Sequence, residues 1–353
     1  MTLDQIIALY EAGQLSGDQV SEAFARLSAG TDIAVDIELS ETQRGLWSLQ
    51  KAYPQLSAYN VPLCLRLPAD LDRKRFLRAC RSLLERWPVL GASVEQREGP
   101  LRLHATSASG LSLEYGDGSA WSESERLDWL RERIEQPVDL AKGPLTRAHW
   151  LDGAGGGESL FLLVVHHLVI DGASVGLLLA GLHEAYRALG NGEAVPGTSG
   201  SDGYAGFVRA ERTRLQGDEA SKRLAYWREQ LTDAPSSLGL PPDHARGATP
   251  SFKGRTLRRE LPAALNASLQ AYTERHGVYP STLLLAVFQG LLSRHAGRDD
   301  VVVGMAMDER DAASAGLVGM FVNMLPMRAR GLGRRGFGED VQTLQRQLVD
   351  AMA

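Results

Sequence analysis

The sequence predicts a mixed α/β fold built from two halves. Strand-like and helix-like segments follow one another without the strict β-α-β rhythm of one doubly wound sheet. The chain has 353 residues, which suggests two domains of ordinary size. Residues 190–203 are rich in Gly, Ser, Asn and Pro and are the best candidate for a linker between the halves. A cleft between two such halves would be a natural substrate site.

The composition narrows the class of protein. Hydrophobic residues make up 44% and charged residues 23% of the chain, which is typical of globular domains. A net charge of −5 argues against nucleic-acid partners, and the absence of a long apolar run argues against a membrane span. The N-terminus does not resemble a signal peptide. Cys64 and Cys80 form no metal or redox motif, so we expect a cytoplasmic protein without a metal.

Residues 1–30 are expected to form a separate helical segment. Leu3, Ile6 and Tyr10 lie on one face of a first short helix, and Ser16 can cap a second one. Two such helices cannot bury a core by themselves. The segment should therefore either pack on the main body or dock on another protein.

The first half is expected to span residues 33–192. Ser40, followed by Glu41 and Gln43, predicts the start of a helix that leads to Trp47. Apolar periodicity predicts further helices over 72–87, 122–136 and 175–189, and strands over 60–67, 89–95, 101–105, 144–152 and 160–165.

The second half is expected to span residues 193–353. Pro262 suits the first position of a helix, and the stretch 281–294 is a very apolar helix. The other predicted elements are helices over 204–231 and from Gly338 onwards, and strands over 257–261, 301–307 and 321–328.

The most informative stretch is HHLVIDG, residues 166–172, which ends the apolar run of residues 160–165. Imidazole suits proton transfer near neutral pH, so either histidine could act as a base. Because successive strand side chains point to opposite faces, His166 and His167 should not both face one substrate. The same geometry disfavours a shared metal ion. The alternative, that both are ordinary structural histidines, stays open at this point.

The residues after the histidines suggest a supporting frame. Asp171 could orient an imidazole ring, or it could hold the loop through an ion pair. Gly172 is expected to let the backbone turn sharply before the next helix.

These motifs resemble those of nonribosomal peptide synthetase condensation domains. HHLVIDG is similar to the family signature HHxxxDG, which related acyltransferases share. Other segments match in the same order, namely LSETQRGLW (39–47) with LSxxQxxxW, a weak match at YAGFV (204–208), DDVVVGMAMDER (299–310) with DDxxxGxxxxxR, and VGMFVNMLPMR (318–328) with VGxFVNxLPxR. The ordered set is far more specific than HHxxxDG alone, and the resemblance extends from Ile33 to the C-terminus.

The resemblance implies two chloramphenicol-acetyltransferase-like lobes in a V, with HHxxxDG in the lobe 33–192 and at the junction with the lobe 193–353. It implies that an amine on one carrier protein attacks an acyl or peptidyl thioester on another and forms an amide. Both substrates would arrive on phosphopantetheine arms, and the domain itself would bind no cofactor. The segment VNMLP (322–326) favours condensation over epimerisation, and the two histidines disfavour a cyclising relative.

The resemblance also implies roles for individual residues. His167 matches the catalytic histidine, which acts as a base or positions the amine. His166 and Asp171 match residues that mainly support the site, and the backbone of Gly172 matches one near the reacting centre.

Two residues of the second half complete the expected site. Arg310 matches an arginine that pairs with Asp171 across the lobes, and Asn323 matches an asparagine near the pocket. From the sequence alone, Arg310 could also be a solvated loop charge and Asn323 a turn residue.

Two departures from the family pattern affect the expected activity. The family motifs similar to HQDYPFE and RDxSRNPL do not occur in the chain, so the lobe 193–353 is expected to be partial. Residues 1–30 resemble segments that dock to an upstream protein, so the donor should come from another polypeptide or from acyl-CoA. The alternatives are a free-standing acyltransferase that makes esters or amides and a non-catalytic platform that binds carrier proteins.

Overall fold

The computed structural model describes residues 5–6, 8–9, 12, 14–16, 19, 33–96, 99–106, 111–155, 157–197, 203–245, 247 and 249–352. The chain divides into two compact units. Unit 1 comprises residues 1–213 and 310–321, and unit 2 comprises residues 214–309 and 322–353. The division into lobes at residue 192 stays a prediction.

The described part of unit 1 contains two sheets. Its strands are β1 (Ile33–Glu38), β2 (Asn60–Leu67), β3 (Ser93–Glu95), β4 (Arg102–Thr106), β5 (Ser112–Asp117), β6 (Thr146–Asp152) and β7 (Ser159–His166). The larger sheet has the order β2-β7-β6-β5, in which β5 and β6 are parallel and the other pairs are antiparallel. The smaller sheet has the order β1-β4-β3 and is antiparallel.

Helices cover both faces of the larger sheet. From residue 33 onwards, the described helices of unit 1 are α1 (Glu41–Ala52), α2 (Arg73–Arg86), α3 (Glu123–Glu135), α4 (Gly172–Gly190) and α5 (Gly203–Arg214). Phe161 and Val165 of β7 belong to the main core, which α2 and α4 also line, whereas Leu162 and Val164 pack against Leu130 of α3. Strand β7 is therefore apolar on both faces, which explains the continuous apolar run before the histidines.

The predicted helical segment 1–30 lies mostly outside the described residues. Ile6, which is described, is fully buried and belongs to the core of unit 1. The backbone N–H of Gln19 donates to Ser16 Oγ at 3.3 Å, which is the local contact expected of a helix cap.

Unit 2 is a two-stranded antiparallel sheet packed with helices. Its elements are α6 (Gly217–Leu231), α7 (Ala263–His276), α8 (Pro280–Ala296), β8 (Asp300–Asp308), β9 (Val322–Arg330) and α9 (Phe337–Met352). Leu283 of α8, Met327 of β9 and Leu344 of α9 are buried in its core. None of the described helices combines the length and the apolar content needed to cross a membrane.

Three predicted elements differ from the structure. Residues 257–261, predicted as a strand, form neither a helix nor a strand. Leu257 is 78% exposed, so this segment does not pack into a sheet. The predicted helix 204–231 is two helices, because Gly217 has a φ of +73° that a continuous helix does not allow. Residues 88–91 form a 3-10 turn ahead of β3, and strand β5 was not expected.

Candidate active site

The first histidine of HHLVIDG is buried where β7 ends. His166 is 1% exposed. Burial, together with the nearby charges of His167 and Arg147, lowers the pKa of His166 to about 4. The backbone N–H of Leu168 donates to His166 Nδ1 at 3.1 Å, so the neutral ring carries its proton on Nε2. His166 is therefore a neutral acceptor that shapes the backbone at near-neutral pH.

The second histidine begins a 3-10 turn, His167–Val169, which we call the motif turn. The backbone N–H of His167 donates to the carbonyl of Tyr59 at 2.8 Å, and its ring meets the Tyr59 ring edge to face at 6.3 Å. His167 is only half-buried, in contrast to His166. His167 Nδ1 is itself buried and, among the described residues, has no hydrogen-bond partner, whereas Nε2 is not buried in this way. The half-buried ring therefore offers Nε2, and not Nδ1, for proton transfer.

Asp171 caps the helix that follows the motif turn. Its carboxylate accepts N–H groups from Ser174 at 2.9 Å and from Phe321 at 2.9 Å, and it accepts two further N–H groups from Arg310. Burial raises the pKa of Asp171, but the hydrogen bonds from Arg310, Ser174 and Phe321 outweigh burial and lower that pKa below its ordinary value. Asp171 is therefore a charged, fully bonded structural group in this geometry.

Arg310 connects the segment 310–321 to the start of α4. Its guanidinium donates to Ser174 Oγ at 2.6 Å and lies 4.0 Å from the centre of the Phe321 ring. Ser174 Oγ in turn donates to the carbonyl of Gly319 at 2.9 Å. The structure contains the expected pairing of Arg310 with Asp171. Both residues belong to unit 1, because the segment 310–321 packs within that unit, and the lobe boundary at residue 192 stays a prediction.

Gly172 is the first residue of α4. Its φ lies outside the left-handed region, so the turn ahead of α4 does not need a backbone conformation that favours glycine. A Cβ added to Gly172 would meet no atom within 4 Å. The described structure therefore leaves open space beside this backbone.

Asn323 lies in unit 2, at the start of β9. Its Nδ2 donates to Glu309 Oε1 at 2.9 Å, and its Oδ1 accepts the N–H of Met324 at 2.8 Å. Both contacts lie within unit 2, so the predicted role of Asn323 near a pocket stays a prediction.

Two further residues, which the sequence did not predict as part of the site, hold the motif turn. Tyr59 supplies the carbonyl that accepts the His167 N–H, and no sequence signal marks it. Gln43 donates from Nε2 to the carbonyl of Leu168 at 2.7 Å. Gln43 belongs to the LSETQ segment, and the motif match could have indicated its importance, although not its partner. Within the described ranges, no group of three or more His, Cys, Asp or Glu residues could hold a metal ion.

Comparison with known proteins identifies the family. The condensation domain model matches residues 33–353. This chain belongs to the condensation domain family. The condensation domain is 32% identical over 309 residues to the polyketide synthase PksN of Bacillus subtilis (strain 168), a match that covers 87% of this chain and 6% of PksN. It is 30% identical over 320 residues to malpinin synthetase of Mortierella alpina, a match that covers 90% of this chain and 4% of the synthetase.

Solved structures of condensation domains have the same fold. The first condensation domain of the calcium-dependent antibiotic synthetase, in complex with a substrate analogue, matches with a TM-score of 0.70 and 26% identity. That match covers 90% of this chain and 75% of the solved one. The starter condensation domain of rhizomide synthetase, in complex with C8-CoA, matches with a TM-score of 0.73 and 20% identity, covering 90% of this chain and 72% of the solved one. In sequence, by contrast, the chain spans only a small fraction of PksN and of malpinin synthetase.

Proposed function

We propose that this condensation domain forms an amide bond between two carrier-bound substrates. The observation that carries the proposal is the contrast between the two histidines. His166 is buried and neutral, whereas His167 is half-buried on a turn and its Nε2, unlike its Nδ1, is not a buried atom. A general base needs an accessible lone pair and a fixed position. Membership of the condensation domain family agrees with this division of roles.

The proposed reaction is aminolysis of a thioester. The amine nitrogen of the acceptor attacks the thioester carbonyl carbon of the donor, the C–N bond forms, and the C–S bond breaks. The proton lost by the amine passes to the departing thiolate. Either His167 relays this proton, or His167 only orients the amine and the amine transfers the proton directly. The tetrahedral oxyanion needs hydrogen-bond donors, and the open backbone at Gly172, at the start of α4, is suited to supply one.

We assign the other site residues a supporting function. Asp171 and Arg310 neutralise each other and fix the start of α4, so neither would move a proton. His166 would hold the motif turn through its Nδ1. Asn323 would lie near the substrate pocket, as the family resemblance implies.

The proposed partners are donor and acceptor carrier proteins with phosphopantetheine arms. The solved starter domain in complex with C8-CoA supports acyl-CoA as an alternative donor. Residues 1–30 would dock an upstream protein that delivers the donor.

The test is intact-mass spectrometry of an aminoacyl-loaded acceptor carrier protein, with the donor supplied either on a carrier or as acyl-CoA. We expect condensation by the wild-type protein, no product from His167→Ala, and a normal rate from His183→Ala, which changes an exposed histidine of α4. Circular dichroism should show that all three proteins are folded. A wild-type rate for His167→Ala would show that the catalytic assignment is wrong. Acylation of a small alcohol or amine alone would indicate a free-standing acyltransferase, and carrier binding without product would indicate a platform.

A further inference from the structure

We propose that Gln43 is a positioning residue for His167. The inference rests on the proposed catalytic role of His167. Gln43 lies in the first turn of α1 and is 0% exposed. Its amide uses both ends: Oε1 accepts the backbone N–H of Ser40 at 2.9 Å, and Nε2 donates to the carbonyl of Leu168 at 2.7 Å.

The first of these contacts fixes the amide of Gln43 in place. Ser40 Oγ accepts the backbone N–H of Gln43 at 3.2 Å, which completes a reciprocal capping box at the start of α1. The amide cannot rotate away from Leu168 without breaking the cap. A helix terminus that the sequence specifies locally thereby holds a donor at a defined position.

The second contact acts on the motif turn. Leu168 directly follows His167, and the backbone N–H of Leu168 donates to His166 Nδ1. The backbone N–H of His167 donates to the carbonyl of Tyr59, and the carbonyl of Leu168 accepts a hydrogen bond from Gln43 Nε2. The three backbone contacts come from different parts of the chain, and Gln43 is 125 residues away from Leu168 in sequence.

Loss of the Gln43 contact would therefore release one of three attachments of the turn that presents His167. A misplacement of a catalytic group by about 1 Å can cost about 10²-fold in rate. The Leu168 carbonyl would also lose a buried donor, which destabilises the folded protein. A purely structural contact would produce only the second effect.

The first experiment makes the same substitution, glutamine to glutamate, at two buried positions. Gln43→Glu keeps an oxygen that can accept the Ser40 N–H, since glutamate is a normal capping-box residue, but it places an oxygen against the Leu168 carbonyl. The matched control is Gln289→Glu in unit 2, because Gln289 is 1% exposed and donates to the carbonyl of Met327 at 3.0 Å. We expect both variants to unfold at lower urea concentrations. Only Gln43→Glu should lower kcat, by tenfold or more, with KM for the carrier-bound acceptor within twofold of wild type.

The second experiment observes His167 directly. In protein labelled with ¹⁵N-histidine, the ring signals of His167 should shift or broaden in both Gln43→Glu and Gln43→Met, but not in Gln289→Glu. The ring signals of His149, which is buried elsewhere in unit 1, should not change in any of these variants.

The outcomes separate this inference from the proposed function. If His167→Ala is inactive but Gln43→Glu and Gln43→Met keep the wild-type kcat and His167 signals, the positioning role is overturned. It is also overturned if neither Gln43 variant folds while Gln289→Glu does, since Gln43 then serves folding. If His167→Ala remains active, the proposed function fails, whatever the Gln43 variants show.

Discussion

Asp171 and Arg310 form a bidentate ion pair in which each carboxylate oxygen accepts one guanidinium N–H, at 2.8 and 2.9 Å. The Asp171 side chain is 0% exposed and that of Arg310 is 7% exposed. Removing one partner leaves an uncompensated buried charge, which costs about 3–5 kcal/mol. We expect Arg310→Leu to lower the free energy of unfolding by that amount and to reduce the condensation rate, as measured by urea denaturation and product formation.

An exposed pair provides the control for this variant. Arg66 and Glu158 form a salt bridge at 2.8 Å, but their side chains are 62% and 37% exposed. Since solvent already screens such a pair, Arg66→Leu should leave the urea midpoint close to that of wild type. Equal losses in Arg66→Leu and Arg310→Leu would contradict the structural role of the buried pair.

The buried neutral ring of His166 predicts a pH-dependent stability. The pKa of His166 is about 4 in the folded protein, against 6.5 for an ordinary histidine. Between these values the unfolded chain binds a proton that the folded protein does not bind, so stability falls as the pH falls from about 6.5 to about 4. This single group should account for a loss on the order of 3 kcal/mol across that range.

The variant that tests this effect is His166→Asn. An asparagine oxygen can still accept the N–H of Leu168, but it does not titrate. The free energy of unfolding of His166→Asn should therefore decline less steeply than that of wild type between pH 6.5 and pH 4 in a series of urea titrations. His183→Asn, at an exposed site on α4, should have the wild-type slope. Identical slopes for all three proteins would show that His166 is not held neutral.

Gly319 is required for the close approach of the segment 310–321 to α5. A Cβ at Gly319 would overlap the ring of Tyr204, which is buried and donates its hydroxyl to the carbonyl of Met320 at 2.7 Å. Overpacking of this kind typically costs about 1–3 kcal/mol. We expect Gly319→Ala to lower the urea midpoint accordingly. Gly316→Ala should be nearly neutral, because a Cβ there meets no atom within 4 Å, and a comparable loss in both variants would rule out the packing explanation.

Local patterns in the sequence predicted the parts of the structure that depend on neighbouring residues. The apolar run before His166 predicted a buried strand, and Ser40 predicted the start of α1. The predicted strand 257–261 is wrong because no described strand pairs with this segment. Strand β5 was not predicted, because a short strand is stabilised by pairing, here with β6, more than by the pattern of apolar residues in its own sequence.

The contacts that build the candidate site depend on residues far apart in sequence. The family resemblance predicted a partner for Asp171 in Arg310, which is 139 residues away. It did not predict the partner of Gln43, nor the segment 310–321 packing in the same unit as α4. Such contacts follow from packing in three dimensions, which no periodicity within one segment contains.

Arg328 holds together the C-terminal end of α6 and the β8–β9 pair in unit 2. Its side chain is 4% exposed. The guanidinium donates to Asp300 Oδ1 at 2.8 Å and to the carbonyl of Thr232, just past the end of α6, at 2.6 Å. Positive charge and N–H donors stabilise the unpaired carbonyls at a helix C-terminus.

We expect Arg328→Lys to destabilise unit 2, although it keeps the charge. A lysine ammonium cannot reproduce the planar set of donors that binds Asp300 and the α6 carbonyls together. Losing several charge-assisted hydrogen bonds at a buried site should cost about 2–4 kcal/mol in urea denaturation. Amide hydrogen exchange should accelerate at the end of α6. Arg334→Lys is the control, since Arg334 pairs with Asp299 but is 78% exposed, and an equal loss in this variant would mean that Arg328 contributes only a surface charge.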